Sequence, residues 1–137
     1  MKNIVEKLLE AQKNAMASRP KVGGFPHLAE ALRQAGAKKN IWSLPSCQSI
    51  YIMEEGNIVQ QGTPLVTGTH SIPAFNKEAL IKALRTDQAG SSTFPEFLQS
   101  TWNAGVTGYE VDFSARTVVY YGALGEKYTE EYPPVEL

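Results

Sequence analysis

Several features needed for common chemistries are scarce in this 137-residue sequence, which has one cysteine, two histidines and no excess of either charge. A single cysteine, Cys47, excludes an internal disulfide bond and any zinc site built from several cysteines. The 13 basic and 14 acidic residues give a net charge of −1, and no basic run is longer than Lys38-Lys39. Because nucleic acids and anionic membranes bind strongly positive surfaces, we expect neither of them as a partner.

Long hydrophobic runs are also missing, since no apolar stretch approaches the roughly 18 residues that a membrane-spanning helix needs. The N-terminus turns polar within residues 1–6, which is too early for a signal peptide. Sequence motifs for nucleotide binding, metal binding or covalent catalysis are absent, so we expect no cofactor and no metal. The composition predicts a soluble, cytoplasmic protein that forms a single domain over residues 1–137.

The two halves of the chain resemble each other. At an offset of 69 residues, eight of 42 aligned positions are identical, whereas average residue usage predicts about two or three. Half of these matches are prolines and glycines, which restrict the backbone at helix ends and tight turns. The identical pairs are Phe25 and Phe94, Pro26 and Pro95, Ala35 and Ala104, Gly36 and Gly105, Tyr51 and Tyr120, Gly56 and Gly125, Pro64 and Pro133, and Val66 and Val135. We infer an internal duplication with repeats of about 1–67 and 72–137, joined by a short loop.

Each repeat begins with two amphipathic helices and then changes its hydrophobic period from 3.6 to 2, which predicts three short strands. Asn76 is a predicted N-cap of the third helix, and Thr93 with Glu96 forms a capping-box pattern before the fourth. The predicted strands cover residues 40–44, 48–53, 57–61, 109–113, 117–121 and 126–132. The fold class is α+β: an antiparallel sheet, apolar on one face and wet on the other, with about four helices on the apolar face. The two three-stranded meanders lie side by side or join into one sheet.

One stretch of the second half is distinctive, and it reads WNAGVTGYEVDF at residues 102–113, RTVVYYG at 116–122 and GEKY at 125–128. This pattern resembles the YdfO-like or YbcV-like family of small bacterial and prophage-borne proteins, some of which are labelled phage envelope protein. The resemblance covers nearly the whole chain, because Gly24-Phe25-Pro26 and Ala35-Gly36 also fit it. It implies an α+β fold and implies no activity, substrate or catalytic residue.

The same stretch contains a cluster of charged residues. Glu110 and Asp112 are two residues apart on one strand and therefore share a face, with Arg116 just beyond the strand end. Two carboxylates beside a guanidinium are a layout for acid/base chemistry, and His70 on the connecting loop would add an imidazole at the junction of the repeats. The alternative is a solvated strand face with ordinary surface ion pairs. An enzyme or small-molecule site thus stays an open hypothesis, and the absence of catalytic motifs weighs against catalysis.

Tyrosines are concentrated in the second half, where five of the six lie between residues 109 and 132. Tyrosine is enriched in protein interfaces and also stacks on small molecules, so this segment is a candidate binding surface. Its candidate binding residues are Tyr109, Tyr120, Tyr121 and Tyr128. The alternative is that cross-strand aromatic pairs stabilise the sheet. The favoured hypothesis is a non-catalytic binding module of the prophage or accessory-gene type, with a protein or a small molecule as its partner.

The edges of the predicted sheet bear on self-association. Pro133 and Pro134 follow the last strand, and prolines stop further strand pairing at that edge. Another edge can still pair, and twofold oligomers are the commonest kind. We therefore also expect that the chain can form a homodimer.

Overall fold

The computed structural model describes residues 3–137, which form one six-stranded antiparallel sheet and four helices. In chain order, the elements are α1 (Ile4–Ser18), α2 (Gly24–Gln34), β1 (Ala37–Ser43), β2 (Gln48–Met53), β3 (Gly56–Gln61), α3 (Lys77–Gln88), α4 (Phe94–Asn103), β4 (Val106–Asp112), β5 (Thr117–Gly122) and β6 (Lys127–Glu131). A helix–helix–three-strand unit therefore occurs twice, which confirms the predicted α+β class. Within residues 3–137, no helix is long and apolar enough to cross a membrane.

Side-chain caps fix where three of the described helices begin. The side chain of Asn76 accepts the backbone N–H of the third residue of α3 at 3.0 Å, and Asn3 caps α1 in the same way. At α4 the backbone N–H of Glu96 donates to the Thr93 hydroxyl, while the Thr93 N–H donates to the Glu96 carboxylate. These contacts confirm the predicted cap and the predicted capping box. Helix α2 instead starts after Gly23, which has a left-handed backbone and no side-chain cap.

The two meanders join into a single sheet through β1 and β4. The strand order is β3-β2-β1-β4-β5-β6, and all neighbours are antiparallel. At the junction Asn40 lies opposite Val111, and Trp42 lies opposite Tyr109. The first repeat therefore supplies one sheet edge, β3, and the second repeat supplies the other, β6.

The hydrophobic core lies between the helices and one face of this sheet. Its largest fully buried apolar side chains come from both repeats and are Phe113, Leu8, Leu44, Leu80, Val106 and Val111. Two buried polar side chains have partners in the core: the Thr101 hydroxyl donates to carbonyls one helical turn earlier, and the Asn40 amide donates to the Ile50 carbonyl on the neighbouring strand.

Each repeat places its first helix along its own edge strand. Gln12 of α1 exchanges two hydrogen bonds of 2.8 and 3.1 Å with Gln60 of β3. Arg85 of α3 lies 2.6 Å from Glu130 of β6. Each edge of the molecule is therefore formed by an edge strand with a helix beside it. The helix–strand contact is uncharged at the β3 edge and is an ion pair at the β6 edge.

Candidate interaction surface

The sheet face opposite the helices is uncovered among the described residues, and we call it the open face. Its side chains form three rows that follow the strand register across the sheet. The central row is Val59, Ile50, Ile41, Glu110, Val119 and Thr129. The outer rows are Asn57, Ile52, Lys39, Asp112, Thr117 and Glu131, and Gln61, Gln48, Ser43, Gly108, Tyr121 and Lys127. Neighbours within a row lie about 5 Å apart, so each row is a continuous strip of surface.

The β1–β3 part of the central row is aliphatic and exposed to solvent. Ile41, Ile50 and Val59 keep 41%, 40% and 62% of their surface accessible. This differs from the sequence prediction of a wet outer face. Residues 50–53 form an unbroken apolar run, which is typical of a strand with apolar side chains on both faces. This run was the sequence signal for the exposed aliphatic side chains.

The β4–β6 part of the open face carries most of its charge. Glu110, Asp112 and Glu131 supply three carboxylates there, and Lys127 supplies one ammonium group. Lys39 of β1 lies 3.9 Å from Glu110, at the boundary between the two parts. The open face therefore has an aliphatic central row flanked by polar side chains on the first repeat, and a surplus of carboxylates on the second.

Asp112 and Arg116 organise the turn between β4 and β5. The Asp112 carboxylate accepts the backbone N–H groups of Ser114 and Ala115 at 3.0 and 2.9 Å, which closes the turn. Arg116 has a left-handed backbone with φ of 56°, and its carbonyl accepts the N–H of Tyr132. The Asp112 carboxylate therefore stabilises the β4–β5 turn through these two hydrogen bonds.

Arg116 lies near Tyr132, where burial raises the pKa of the tyrosine hydroxyl and the charges of Arg116 and Asp112 then shift it in opposite directions. Hydrogen bonds from Arg33, at 2.8 and 2.6 Å, lower the pKa of Glu30 on α2 from 4.5 to about 2, and the charge of Arg116 adds to this effect. The predicted pair of carboxylates, Glu110 and Asp112, shares the open face, and within residues 3–137 no ion pair joins Arg116 to either of them.

His70 lies in the loop that joins the two repeats. Its Nε2 is 2.6 Å from the carbonyl oxygen of Thr67. The loop is tied to the β1–β2 turn through the carbonyl of Pro45 and to the start of β4 through the carbonyl of Ala104. Asp112 lies at the far end of β4, and the two ends of this strand are about 20 Å apart at 3.3 Å per residue. His70 and Asp112 thus belong to opposite ends of the sheet.

The candidate tyrosines divide between the core and the surface. Tyr109 and Tyr120 are buried under the helices with ring centres 5.6 Å apart, and Trp42 stacks on Tyr109. Burial raises the pKa of both hydroxyl groups, so they stay protonated. Tyr121 lies on the open face beneath the Lys127 ammonium, and Tyr128 donates its hydroxyl to Glu130 at 3.1 Å. Because side chains alternate along a strand, adjacent Tyr120 and Tyr121 had to face opposite ways.

The remaining candidates for chemistry have no site around them in the described residues. Burial raises the pKa of the Cys47 thiol, which disfavours the reactive thiolate. Two shallow surface depressions, of about 310 and 470 Å³, lie beside Tyr132 and between α1 and the β2–β3 turn. The first is lined by Arg116 and Glu131, and neither is lined by His70, Asp112 or Cys47. Among residues 3–137, no group of three or more His, Cys, Asp or Glu side chains is arranged to hold a metal ion.

These features define a class of protein: an α+β fold made of two helix–helix–three-strand units that share one antiparallel sheet with an uncovered face. Within this class, the family model described as "protein of unknown function (DUF1398)" matches residues 13–131. The chain therefore belongs to the DUF1398 family.

Relatives of the chain occur in mycobacteria. It is 47% identical over 132 residues to "uncharacterized protein Mb2035" of Mycobacterium bovis and to "uncharacterized protein Rv2012" of Mycobacterium tuberculosis H37Rv. In both cases the match covers 96% of this chain and 80% of the relative.

Proposed function

We propose that this protein is a non-catalytic interaction module that binds another protein through its open face. The observation that carries the proposal is the exposed aliphatic strip of Ile41, Ile50 and Val59 on a face that the described helices leave uncovered. Contiguous exposed apolar surface is typical of protein interaction sites in soluble folds. Burying one such side chain fully contributes about 1.5–3 kcal/mol, so three of them can anchor a contact.

The charges on the same face define the partner's chemistry. The acidic β4–β6 part, with Glu110, Asp112 and Glu131, favours basic side chains, whereas the β1–β3 part favours aliphatic ones. The partner is therefore a protein segment that presents an aliphatic side and a basic side. Nucleic acid does not fit, because the carboxylates would repel phosphates.

The other parts of the proposal rest on the sequence. They are a cytoplasmic location, a prophage or accessory-gene setting and one domain over the full chain. The interaction module is favoured over the acid/base alternative at the junction of the repeats, because the loop of His70 is tied to the opposite end of the sheet from Asp112 and the Asp112 carboxylate is hydrogen-bonded to its own turn.

Two designed amphipathic peptides test the proposal. Both have the same leucine face, and their polar faces carry lysines in one and glutamates in the other. We expect the lysine peptide to shift the methyl NMR signals of Ile41, Ile50 and Val59 and to bind about tenfold more tightly than the glutamate peptide at low salt. Ile50→Thr, which keeps a β-branched strand residue, should weaken this binding.

Leu124 provides the matched control, because it is 90% exposed in the β5–β6 turn and lies outside the open face. Leu124→Thr should leave peptide binding unchanged. Equal binding of both peptides, or shifts centred on Leu124, would contradict the proposal.

A further inference from the structure

Strand β3 is an edge without the protection that its counterpart has. Its sequence, GNIVQQ, contains no charge and no proline, and its pairing with β2 has no bulge. Strand β6 reads KYTEE and carries three charges; Pro133 and Pro134 follow it, whereas Pro64 alone follows β3. Charges, prolines and bulges are the usual devices that stop an edge from pairing with another chain. Within the strands themselves the two edges differ in charge, which β6 has and β3 lacks.

The β2–β3 turn determines which backbone groups of β3 point outward. Glu54 and Glu55 form a two-residue turn, so Met53 and Gly56 are a hydrogen-bonded pair and the bonded pairs recur at every second residue. The N–H and C=O groups of residues 57, 59 and 61 therefore face away from β2. Outside the strand ladders, no backbone hydrogen bond among residues 3–137 uses these groups.

We propose that two copies of this chain pair through antiparallel β3 strands, with Val59 opposite Val59 of the partner subunit, to form a continuous twelve-stranded sheet. In this register residues 57, 59 and 61 of each copy make six N–H···O=C bonds across the twofold axis. Asn57 then faces Gln61 of the partner subunit, and no like charges meet. The register also keeps each side chain on its own face of the sheet, as strand pairing requires.

The open face supports a second copy as the occupant of this edge. Val59 ends the aliphatic strip at β3, so pairing Val59 with its own equivalent extends the strip without interruption. The strip of the dimer then contains Ile41, Ile50 and Val59 from each copy. β-Branched residues facing each other across strands are favourable pairs.

Helix α1 gives independent support, because an exposed apolar stripe runs along its outer side. Val5, Leu9 and Met16 are 45%, 50% and 53% exposed. Their spacing places them within about 40° of one another, at about 100° per residue. The side of α1 that carries Lys7 and Asn14 is about 180° away and faces the depression beside the β2–β3 turn.

The stripe therefore lies on the same outer edge of the molecule as β3. The side chain of Ile4 lies over Gly56 and Gln12 bonds to Gln60, so α1 runs parallel to β3. A twofold axis between paired β3 strands would bring the two α1 helices together in antiparallel orientation. Each stripe of Val5, Leu9 and Met16 would then be covered by the stripe of the partner subunit.

Sedimentation analysis of single-residue variants tests the pairing. The wild-type protein should sediment at twice the 15.0 kDa chain mass. Val59→Pro removes an N–H that points outward, so the monomer keeps its ladder, while the dimer dissociation constant should rise at least about tenfold. The matched control is Thr129→Pro, which removes the equivalent outward N–H on β6 and should change the dissociation constant by less than about twofold.

A second variant keeps the test informative if Val59→Pro folds poorly. Leu9→Lys places a charge in the helix stripe and should also weaken the dimer, whereas Leu124→Lys should not. Wild-type protein that stays monomeric up to about 1 mM, or equal effects of the β3 and β6 prolines, would overturn the proposal. The inference does not rest on the proposed function, because peptide binding to the open face is measured separately and can fail or succeed alone.

Discussion

The two outer edges of the molecule have the same backbone plan and different surfaces. The α1–β3 edge joins its helix to its strand through the uncharged pair Gln12 and Gln60. The α3–β6 edge uses the ion pair between Arg85 and Glu130, and Lys77 lies over the ring of Tyr128. The duplicated backbone has thus been kept while the exposed side chains diverged. The strand of one edge, β6, carries three charges, and the strand of the other, β3, carries none.

The largest predicted effect tests whether both repeats support one cooperative fold. Leu8 in α1 and Leu80 in α3 are each almost fully buried, at 1% and 0% exposure. Leu8→Ala and Leu80→Ala should each lower the free energy of unfolding by about 3–4 kcal/mol, because each leaves a cavity in a shared core. Urea titrations followed by both fluorescence and circular dichroism should give a single transition. Two separate transitions, one for each repeat, would contradict a shared core.

The next prediction compares alanine substitutions at two equivalent glycines, Gly36 and Gly105. Each of them follows the second helix of its repeat. Both have positive φ, of 104° and 88°. An added methyl group at Gly105 would lie 2.5 Å from the Ala74 carbonyl oxygen, whereas at Gly36 nothing lies within 4 Å. We expect Gly36→Ala to cost about 1 kcal/mol from backbone strain and Gly105→Ala to cost about 3 kcal/mol or more.

Thermal denaturation of both glycine variants measures this difference. Both variants carry backbone strain from a positive φ. The difference between their melting temperatures therefore measures the close approach of the connecting loop to Gly105. Equal melting temperatures for the two variants would show that the loop does not pack there.

A smaller effect concerns the start of the second helix in each repeat. Thr93 caps α4 with its hydroxyl, whereas α2 starts without a side-chain cap. Thr93→Ala should lower stability by about 1 kcal/mol, since it leaves backbone donors of α4 unpaired. Thr93→Ser should retain most of the stability, and a result equal to that of alanine would exclude the capping contact as the cause.

The smallest predicted effect is a pH dependence of stability that arises from Glu30 in the first repeat and has no equivalent in the second. Arg33 lowers the pKa of Glu30 from 4.5 to about 2, so the stabilising contribution of Glu30 is fully present above pH 4.5 and is lost as the pH falls through 2. The equivalent residue of the second repeat is Gln99, which does not titrate. Glu30→Gln should therefore reduce the loss of stability between pH 5 and pH 2 relative to wild type, as measured by urea titration. Gln99→Ala is the control and should leave the pH profile unchanged.

The sequence alone predicted the elements better than it predicted their assembly. Helix caps at Asn76 and Thr93 were readable because they depend on contacts within four residues. The start of β4 was missed, since it lies at Val106 rather than Tyr109 and is fixed by pairing with β1 and β5. The sequence left open whether the meanders join, because the β1–β4 contact is long-range.

The predicted site residues were harder to place for the same reason. The shared face of Glu110 and Asp112 followed from strand alternation alone. Arg116 has a left-handed backbone in its turn, and the position of His70 depended on a loop tied to the opposite end of the sheet. Neither feature leaves a periodic signal in the sequence.

The central claim is that the two edges differ in their ability to pair, and amide hydrogen exchange at Val59 and Thr129 tests it most directly. These residues occupy the two ends of the central row, and both point their N–H groups away from the sheet. We predict that exchange at Val59 slows as protein concentration rises, while exchange at Thr129 stays fast. Exchange that is fast at both residues at every concentration, or that slows equally at both, would contradict the account.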